Sequence, residues 1–477
     1  MNINYASLAD NKLSKPLIYL FWLAIFILYA ISANKYTGQT HVYLIFSITS
    51  NLLLYFGFRK NAVFFDTFIG IFFWLGFWLK CAIRLITTNG IFYVPTGSFD
   101  GSAAAFDKGL LVSSIAFLGL LVASLLREHF LFNYPERIDA VKTGLFDFYV
   151  RYRKTIWVAF VALILFIGAS NIYLGIYQRG TITRTVLPFG FNGIYKWLLL
   201  FGLASISAVI LWLEFQIKKS TSITVILLAL IETFVSNVSL LSRGMILNSS
   251  ALLYGVLKTL KFDSIKFKLR HIIITFFVFS FLFIGSVYLV NFIRAGLFYD
   301  SYSDEEVVQE MHSSTTPLFL DRWVGLEGVL SVSSYPKLGW SLWREAVNEV
   351  YDENQTSFYD NNFIESSYIK TDKSKHHFIS LPGIIAFFFY PGSFVFLFFA
   401  MLIVGLGAAL IEYATYQLGG KNVILCSLFA QVIAFRFASF GYVPKQSYLL
   451  FGTLVLNILI IFLANKCIST KPARHSK

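Results

Sequence analysis

Charged residues and cysteines are both scarce in this chain of 477 residues. Charged residues make up 14% of the sequence, whereas soluble globular domains carry about 25%. The three cysteines, Cys81, Cys426 and Cys467, have neither the spacing of a metal site nor that of a disulfide framework. A glycine-rich dinucleotide loop, a P-loop and an HExxH motif are also absent from the sequence. These absences argue against a soluble nucleotide-dependent enzyme and a zinc hydrolase, and they predict neither a metal nor a cofactor.

Hydrophobic residues are abundant instead, at 57% of the sequence, and they form long runs along the whole chain. Each run has about 17 to 25 residues, which is long enough to cross a hydrocarbon core of about 30 Å. The sequence therefore predicts an all-α, polytopic integral membrane protein with about twelve transmembrane helices. The apolar segment 379–390 stops at Pro391-Gly392, and we interpret it as an interfacial or re-entrant piece. The predicted spans are 17–33, 42–58, 63–79, 109–126, 156–177, 195–217, 222–240, 244–257, 271–293, 391–413, 422–441 and 447–465.

Lysines and arginines predict the orientation of the spans. They concentrate in the loops 127–155 and 258–270 and in both tails, and cytoplasmic loops collect such residues. Both termini are therefore predicted to be cytoplasmic, and the acidic connection is predicted to lie outside. The net charge of +13 then reflects membrane topology and attraction to anionic headgroups, not nucleic-acid binding. Three regions follow: an N-terminal bundle of about nine spans (1–293), an external loop domain (294–378) and a C-terminal part of about three spans (379–477).

Several basic side chains are predicted to lie at the external ends of the spans. Guanidinium groups stay charged and hold phosphate oxygens through two parallel hydrogen bonds. Several of them at one membrane depth would form a binding site for a diphosphate group. The alternative is that each side chain extends to the membrane edge, as arginines and lysines commonly do. The predicted diphosphate-binding residues are Arg179, Arg184, Arg243, Arg294, Arg322, Arg436 and Lys445.

One acidic residue, Glu232, is predicted near the middle of a span. Ser236, Ser239 and Arg243 follow it at spacings that return to nearly the same face of a helix. This polar stripe is expected to face the interior, because a charged side chain that faces lipid is costly. We therefore expect Glu232 to support Arg243 from deeper in the same cavity. The alternative is that Glu232 pairs with a neighbouring helix for structural reasons.

The external loop has the composition of a folded segment. A helix is predicted to begin at Thr316-Pro317 and to end at Tyr335-Pro336, and a second one is predicted from Trp340 to Tyr351. Both patterns predict amphipathic helices that lie on the outer leaflet or cap a cavity. Aromatic residues of this loop are candidates for stacking on sugar rings, and the alternative is that they anchor the loop at the membrane interface. These candidates are Trp323, Trp340, Trp343, Tyr335, Tyr351 and Tyr359.

The same loop supplies the candidates for a general base. A catalytic base must reach the hydroxyl group that loses its proton, and histidine and carboxylate side chains are the usual choices. The alternatives are that a loop histidine is only solvated, and that a carboxylate pairs locally with Arg322. The candidates are Asp321, Glu327, His312 and the pair His376-His377.

Four short patches, "SLLSRGM", "NFIRAG", "DRWVGLEG" and "FRFASFGY", carry four of the predicted external arginines: Arg243, Arg294, Arg322 and Arg436. Together with the many spans and the cytoplasmic termini, they resemble the bacterial O-antigen polymerase (Wzy-type) family. Members of this family polymerise lipid-linked oligosaccharide repeat units. They are related in architecture to O-antigen ligases and to the GT-C type of membrane-embedded glycosyltransferases. The resemblance covers the whole chain in architecture and only these patches in sequence.

The resemblance implies a GT-C-like enzyme in the bacterial inner (cytoplasmic) membrane that builds an O-antigen, capsule or exopolysaccharide. Donor and acceptor would both be oligosaccharides linked to undecaprenyl diphosphate. The arginines would hold the departing diphosphate, and His312, Asp321 or Glu327 would be the base. Membrane lipids, a chain-length regulator and a flippase are the implied partners, and no nucleotide sugar or nucleic acid is expected.

Two alternatives to a polymerase stay open. The first is an O-antigen-ligase-type glycosyltransferase, which shares the architecture and differs in its acceptor. The second is a flippase or transporter for lipid-linked oligosaccharides, which would also need cations around a diphosphate. A transporter commonly has inverted repeats and discontinuous helices at the membrane midplane, and the sequence indicates neither.

Overall fold

The computed structural model describes residues 2–3, 14–92, 94–135, 144–218, 223–242, 244–263, 267–298, 323–366, 369 and 377–468. The described chain is almost entirely helical. Two strands of two residues each, β1 (Asn2–Ile3) and β2 (Phe267–Lys268), pair in antiparallel register. Helices are the expected structure in a hydrocarbon environment, because a helix satisfies its own backbone hydrogen bonds.

The helices of the described residues are numbered here in chain order. Helix α3 contains a π-helical stretch at Trp74–Leu79, and α6 contains another at Leu198–Gly202. The helices are α1 (Ser14–Lys35), α2 (Thr40–Phe58), α3 (Phe64–Thr88), α4 (Ala103–Phe130), α5 (Gly144–Leu174), α6 (Pro188–Lys218), α7 (Ile223–Ser239), α8 (Met245–Asp263), α9 (Leu269–Phe298), α10 (Leu326–Ser333), α11 (Trp340–Val347), α12 (Ile384–Phe388), α13 (Phe394–Leu418), α14 (Val423–Ala438) and α15 (Ser447–Cys467).

Nine helices of the described residues are long and apolar enough to cross a membrane, namely α1 to α6, α9, α13 and α15. Helices α7 and α14 are apolar but shorter, and α8 has 19 residues. Each predicted span coincides with one of these helices. The prediction of a polytopic α-helical membrane protein is therefore confirmed. About twelve crossings and a GT-C-like arrangement stay predictions.

Contacts between neighbouring helix termini identify the two ends of the bundle. At the first, which we call the basic end, Asn61 donates to the Glu128 carboxylate (2.7 Å), and β1 near the N-terminus pairs with β2. At the second, which we call the loop end, Tyr36 donates to Asp107 (2.7 Å), and the backbone N–H of His377 donates to the carbonyl of Gly180 (3.3 Å). The described parts of the basic loops thus lie at the opposite end of the bundle from the described parts of the large loop, as the predicted orientation requires. Which end faces the cytoplasm stays a prediction.

A buried carboxylate fixes the start of α3 at the basic end. The Glu412 side chain on α13 accepts hydrogen bonds from the backbone N–H groups of Phe64 and Phe65, each at 2.9 Å, and from the Tyr134 hydroxyl at 2.6 Å. The first N–H groups of a helix have no partner within the helix, and the positive end of the helix dipole favours an anion there. Glu412 therefore ties α13 to the beginning of α3.

Helix α10 is buried on every side, so the predicted position on the outer leaflet is wrong for this segment. All of its residues are buried, and it packs against α4 and the short helix α12 inside the bundle. The predicted start at Thr316-Pro317 lies outside the described residues. The sequence pattern places Glu327 on a polar face, whereas in the fold this carboxylate has a buried cationic partner, Lys80. The second predicted helix is present as α11, and it ends at Val347.

Glycines allow the α10 segment to contact its neighbours through the backbone. A Cβ atom at Gly325 would collide with the main chain of Gly76, in the π-helical stretch of α3. A Cβ atom at Gly328 would collide with the carbonyl of Pro382, just before α12. Main-chain atoms cannot move aside as a flexible side chain can, so these positions admit no larger residue. Helix α12 is buried as well, so most of segment 379–390 lies inside the bundle, and its re-entrant or interfacial position in the membrane stays a prediction.

The predicted orientation can be tested by thiol labelling. Asn354 is exposed at the loop end, and Cys467 is exposed at the end of α15 on the basic end. In cells with a permeabilised outer membrane, Asn354→Cys in a Cys467→Ser background should react with an impermeant maleimide. The native Cys467 should react only after the inner membrane is opened. Mass spectrometry measures both, the buried Cys81 and Cys426 are unreactive controls, and the reverse pattern would contradict the orientation.

Candidate functional site at the loop end

Three of the predicted arginines lie together at the loop end. The guanidinium Nη2 of Arg294, near the end of α9, donates to the backbone carbonyl of Arg179 (3.0 Å). The N–H of Arg179 in turn donates to the carbonyl of Leu240, just after α7 (3.0 Å). Arg184 lies in the same loop and donates to the Gln178 side chain (3.3 Å). The α5–α6 loop thus joins the outer ends of α7 and α9 and carries two arginines of its own.

Arg436 is a half-buried cation near the end of α14. Its Nη2 donates to the Ser447 hydroxyl (3.1 Å), and its guanidinium lies 5.5 Å from the centre of the Phe440 ring. Its Nε is buried and donates to no described residue. Within the described part of the chain, Arg436 has no carboxylate partner, so its charge is left for another anion.

Lys445 lies in the turn between α14 and α15, close to Arg436 in the chain. Its ammonium group donates to the side-chain oxygen of Asn348, at the end of α11. This bond links the α14–α15 turn to the large loop. Lys445 is exposed, which leaves its remaining donors accessible to solvent.

Several predicted site residues lie outside the described residues, so the structure does not place them. The described residues that adjoin them are Ser242, Gly244, Trp323 and His377, which all belong to the loop end or to the start of the α10 segment. The undescribed residues are Arg243, Arg322, His312, Asp321 and His376.

Glu327 is held in a buried ion pair. Its Oε1 lies 2.8 Å from the Nζ of Lys80 on α3, and Lys80 also donates to the backbone carbonyl of Trp323. The two residues expose only 1% (Lys80) and 4% (Glu327) of their surface. A carboxylate that is engaged with a cation inside the bundle is poorly placed to take a proton from a substrate. Glu327 instead lies in the first turn of α10, where the helix dipole stabilises an acidic side chain.

Sequence reasoning misses Lys80, although a signal for it exists. The predicted span ends at residue 79, directly before this lysine, whereas α3 continues to Thr88. Apolar residues on both sides of a lysine indicate that it is either a span end or a buried cation with a partner. Its partner, Glu327, lies 247 residues away in the sequence, and no local pattern reveals such a pairing.

Aromatic rings connect the start of the α10 segment to the helix that carries Arg436. Trp323 stacks on Phe72 of α3 with ring centres 5.8 Å apart, and Phe72 meets Phe435 of α14 edge to face at 6.0 Å. Phe435 is the residue before Arg436. Two successive aromatic contacts therefore link Trp323 to α14.

His377 is the described member of the predicted histidine pair. Its Nδ1 lies 3.1 Å from the backbone carbonyl of Glu353, and its Nε2 lies 3.2 Å from the Tyr442 hydroxyl. Because a carbonyl only accepts hydrogen bonds, Nδ1 carries a proton, and in the neutral ring Nε2 is the acceptor that faces the Tyr442 hydroxyl. The ring is thus held in the tautomer that a general base needs.

The polar stripe on α7 faces the interior. Glu232, Ser236 and Ser239 are all buried, and the Ser236 hydroxyl donates to Oε1 of Glu232 (2.8 Å). Oε2 of Glu232 is buried and accepts no hydrogen bond from the described residues. The inward orientation agrees with the sequence interpretation. Whether Glu232 supports Arg243 stays a prediction, since residue 243 is not described.

Comparisons with protein-family models, with curated proteins and with solved structures give no match for this chain. Within the described residues, no group of three or more histidine, cysteine, aspartate or glutamate side chains is arranged to hold a metal ion. The functional assignment therefore depends on the sequence resemblance and on the chemistry of the loop end.

The buried ion pair gives a prediction about stability. Glu327→Leu leaves Lys80 buried without its carboxylate, and breaking a buried pair in this way costs about 3 to 5 kcal/mol. The double variant Lys80→Met/Glu327→Leu removes both charges and should recover a large part of that loss, because apolar replacement of a whole pair is often close to neutral. Thermal unfolding of the purified protein in detergent measures both changes.

A more exposed ion pair provides the control for this comparison. Glu128→Gln removes the Arg59–Glu128 pair at the basic end, whose two side chains are 15% and 22% exposed. It should change stability by less than about 1 kcal/mol. A double variant that unfolds as early as Glu327→Leu would contradict the anchoring role of the pair.

Proposed function

We propose that this protein is a membrane-embedded glycosyltransferase that polymerises oligosaccharides linked to undecaprenyl diphosphate. In this proposal the loop end faces the outside of the bacterial inner membrane. The observation that carries it is Arg436, a half-buried guanidinium without a carboxylate partner among the described residues. Arg179, Arg184 and Arg294 lie together at the same end.

The cost of burying a cation supports a bound anion at Arg436. A charged group that is removed from water loses several kcal/mol of hydration unless a partner compensates it. Among the described residues the partners of Arg436 are a hydroxyl and an aromatic ring, and neither carries a negative charge. A lipid diphosphate at the membrane edge would supply that charge, and a guanidinium can hold two of its oxygens at once.

The transfer step can be written with the residues at the loop end. His377 Nε2 takes the proton from a hydroxyl group of the acceptor sugar, after that nitrogen exchanges its contact with Tyr442 for the substrate. The acceptor oxygen then bonds to the anomeric carbon of the donor glycan. The bond between that carbon and the diphosphate oxygen breaks, and the electron pair leaves with the undecaprenyl diphosphate. Arg436 and the neighbouring arginines stabilise the charge that develops on this leaving group.

The base in this proposal is selected from the sequence candidates by the contacts that each one makes in the structure. Glu327 is engaged with Lys80, and His312 and Asp321 lie outside the described residues. His377 has the required lone pair and a fixed tautomer. It is therefore the base in this proposal, and His312 and Asp321 stay candidates.

A transporter of lipid-linked oligosaccharides is the second candidate, and one observation favours it. Helices α10 and α12 are short, discontinuous and buried in the bundle, and transporters commonly bind substrates at the ends of such helices. Here, however, Glu327 in the first turn of α10 is already paired with Lys80. A ligase stays the alternative within the same class of enzyme.

Substitution of Arg436 tests the proposal in the native host. Arg436→Ala should reduce long-chain polysaccharide about 10²- to 10³-fold, the loss typical for removing one stabilising donor. Arg436→Lys should restore only part of it, because the two-pronged contact is lost. Gel ladders of extracted polysaccharide, with immunoblots for protein level, measure the effect. Arg344→Ala is the matched control, since this arginine is exposed on α11 and should leave the ladder unchanged.

The species that accumulates in the Arg436→Ala strain separates the candidate functions. A polymerase defect leaves single repeat units attached to the final acceptor, and a ligase defect leaves polymer on undecaprenyl diphosphate. A transport defect leaves lipid-linked units on the cytoplasmic face of the membrane. A wild-type ladder in Arg436→Ala would contradict the proposed function.

A further inference from the structure

Four side chains at the loop end form a cluster that the transfer step uses only in part. We call it the aromatic cluster, and it consists of Tyr351, Glu353, His377 and Tyr442. The ring centres are 5.8 Å apart for Tyr351 and His377, 6.1 Å for Tyr351 and Tyr442, and 5.7 Å for His377 and Tyr442. The three rings thus contact one another, and two of them come from the α11–α12 connection and one from the α14–α15 turn. Contacts between side chains of two loops are not needed to pack either loop by itself.

The backbone around the aromatic cluster is fixed by a carboxylate. Glu349, partly buried after α11, accepts hydrogen bonds from the N–H groups of Phe358 and Val443. Val443 has a φ of 43°, a conformation that is strained for a β-branched residue. Structure that holds a strained residue in place often serves a site. Tyr442, its neighbour in the chain, is therefore held in a defined position relative to the large loop.

Polar atoms with hydrogen-bonding capacity line the aromatic cluster. Oε1 of Glu353 accepts from the hydroxyls of Tyr351 (2.9 Å) and Thr183 (3.2 Å). Its Oε2 accepts no hydrogen bond from any residue that the structure describes. Burial raises the pKa of both Tyr351 and Tyr442, so both hydroxyls stay protonated and donate to Glu353 and His377, respectively. Tyr351 is 42% exposed, so part of its side chain is accessible to a ligand.

We propose that the aromatic cluster is a subsite for a neutral pyranose ring of the saccharide substrate, beside the diphosphate subsite. A pyranose has an apolar face of C–H groups that packs on an aromatic ring, and hydroxyl groups at its edge. Tyr351 offers the ring, and Glu353 Oε2 offers an acceptor for those hydroxyls. This inference rests on the proposed function and assigns the part of the site that recognises sugar.

The backbone after α14 places the two subsites next to each other. Tyr442 follows Phe440 by two residues, and the Phe440 ring lies 5.5 Å from the guanidinium of Arg436. A saccharide on the aromatic cluster would therefore extend toward the cation that holds the diphosphate. His377 belongs to the cluster, so the sugar hydroxyl that loses its proton would lie against the proposed base. The two subsites carry different chemistry and can be tested apart.

Binding to the purified full-length protein in detergent tests the saccharide subsite. One probe is the free oligosaccharide released by mild acid from the lipid-linked repeat unit of a host strain without this protein. The other probe is undecaprenyl diphosphate, which carries no sugar. Tyr351→Ala should weaken binding of the oligosaccharide at least about tenfold, which corresponds to about 1.4 kcal/mol, and leave undecaprenyl diphosphate binding unchanged. Arg436→Ala should do the reverse. Saturation-transfer NMR and calorimetry measure the binding of the two probes.

Two further variants control for folding and for the source of the effect. Tyr351→Phe keeps the ring face and should stay within about threefold of wild type. Tyr173→Ala removes an 85% exposed tyrosine at the end of α5 and should change neither affinity. Retained binding of undecaprenyl diphosphate by Tyr351→Ala shows that this variant is folded.

The outcomes separate this inference from the proposed function. Oligosaccharide that fails to bind the wild-type protein, or that binds Tyr351→Ala equally well, would overturn the saccharide subsite. Undecaprenyl diphosphate that binds Arg436→Ala as tightly as wild type would instead count against the proposed diphosphate site. In that case a Tyr351-dependent affinity for the oligosaccharide would still support the subsite.

Discussion

The ion pair between Lys80 and Glu327 is the interaction on which the arrangement of the loop end depends. It joins the π-interrupted helix α3 to the first turn of α10, and Lys80 also holds the carbonyl of Trp323. In a low-dielectric interior such a pair persists only when both charges and their remaining hydrogen-bonding groups are satisfied. This requirement fixes the depth at which the large loop enters the bundle.

Further contacts connect this ion pair to the helix that carries Arg436. Gly325 contacts Gly76 through the backbone, and Trp323 reaches α14 through Phe72. Helix α10 packs against α12. In the turn before α12, the Gly383 N–H donates to the carbonyl of Phe440, just after α14 (3.0 Å). A half-buried arginine, a histidine in a fixed tautomer and a partly exposed tyrosine are thus positioned by elements distant in the sequence.

Local composition predicts the membrane helices well because hydropathy is a property of a single segment. Each predicted span coincides with a helix, and the polar face of α7 is correctly assigned to the interior. The same reasoning fails for α10, because whether Glu327 is solvated or buried depends on Lys80, which is 247 residues away. From the sequence alone, a charged residue in a loop is predicted to be exposed, because its distant partner is not known.

Prediction of the candidate site from the sequence is limited in the same way, because the site depends on contacts between distant segments. The arginines are predicted to share one end because their positions relative to the spans are local information, and the described ones do lie there. The aromatic cluster needs the α11–α12 connection to meet the α14–α15 turn, and the strained backbone of Val443 and its contact with Glu349 have no signature in the sequence. Tyr351 is predicted only as one of several aromatic candidates, and Tyr442 and Glu353 are not predicted at all.

Reconstitution of the purified protein in liposomes with lipid-linked repeat units from a host strain without it tests the central claim most directly. The measurement is the amount of free undecaprenyl diphosphate and the length of the lipid-linked glycans, by mass spectrometry. Glycosyl transfer predicts one undecaprenyl diphosphate released for each repeat unit added, with glycans of two or more units. Repeat units that only change leaflet, or that stay single without release of undecaprenyl diphosphate, would contradict it.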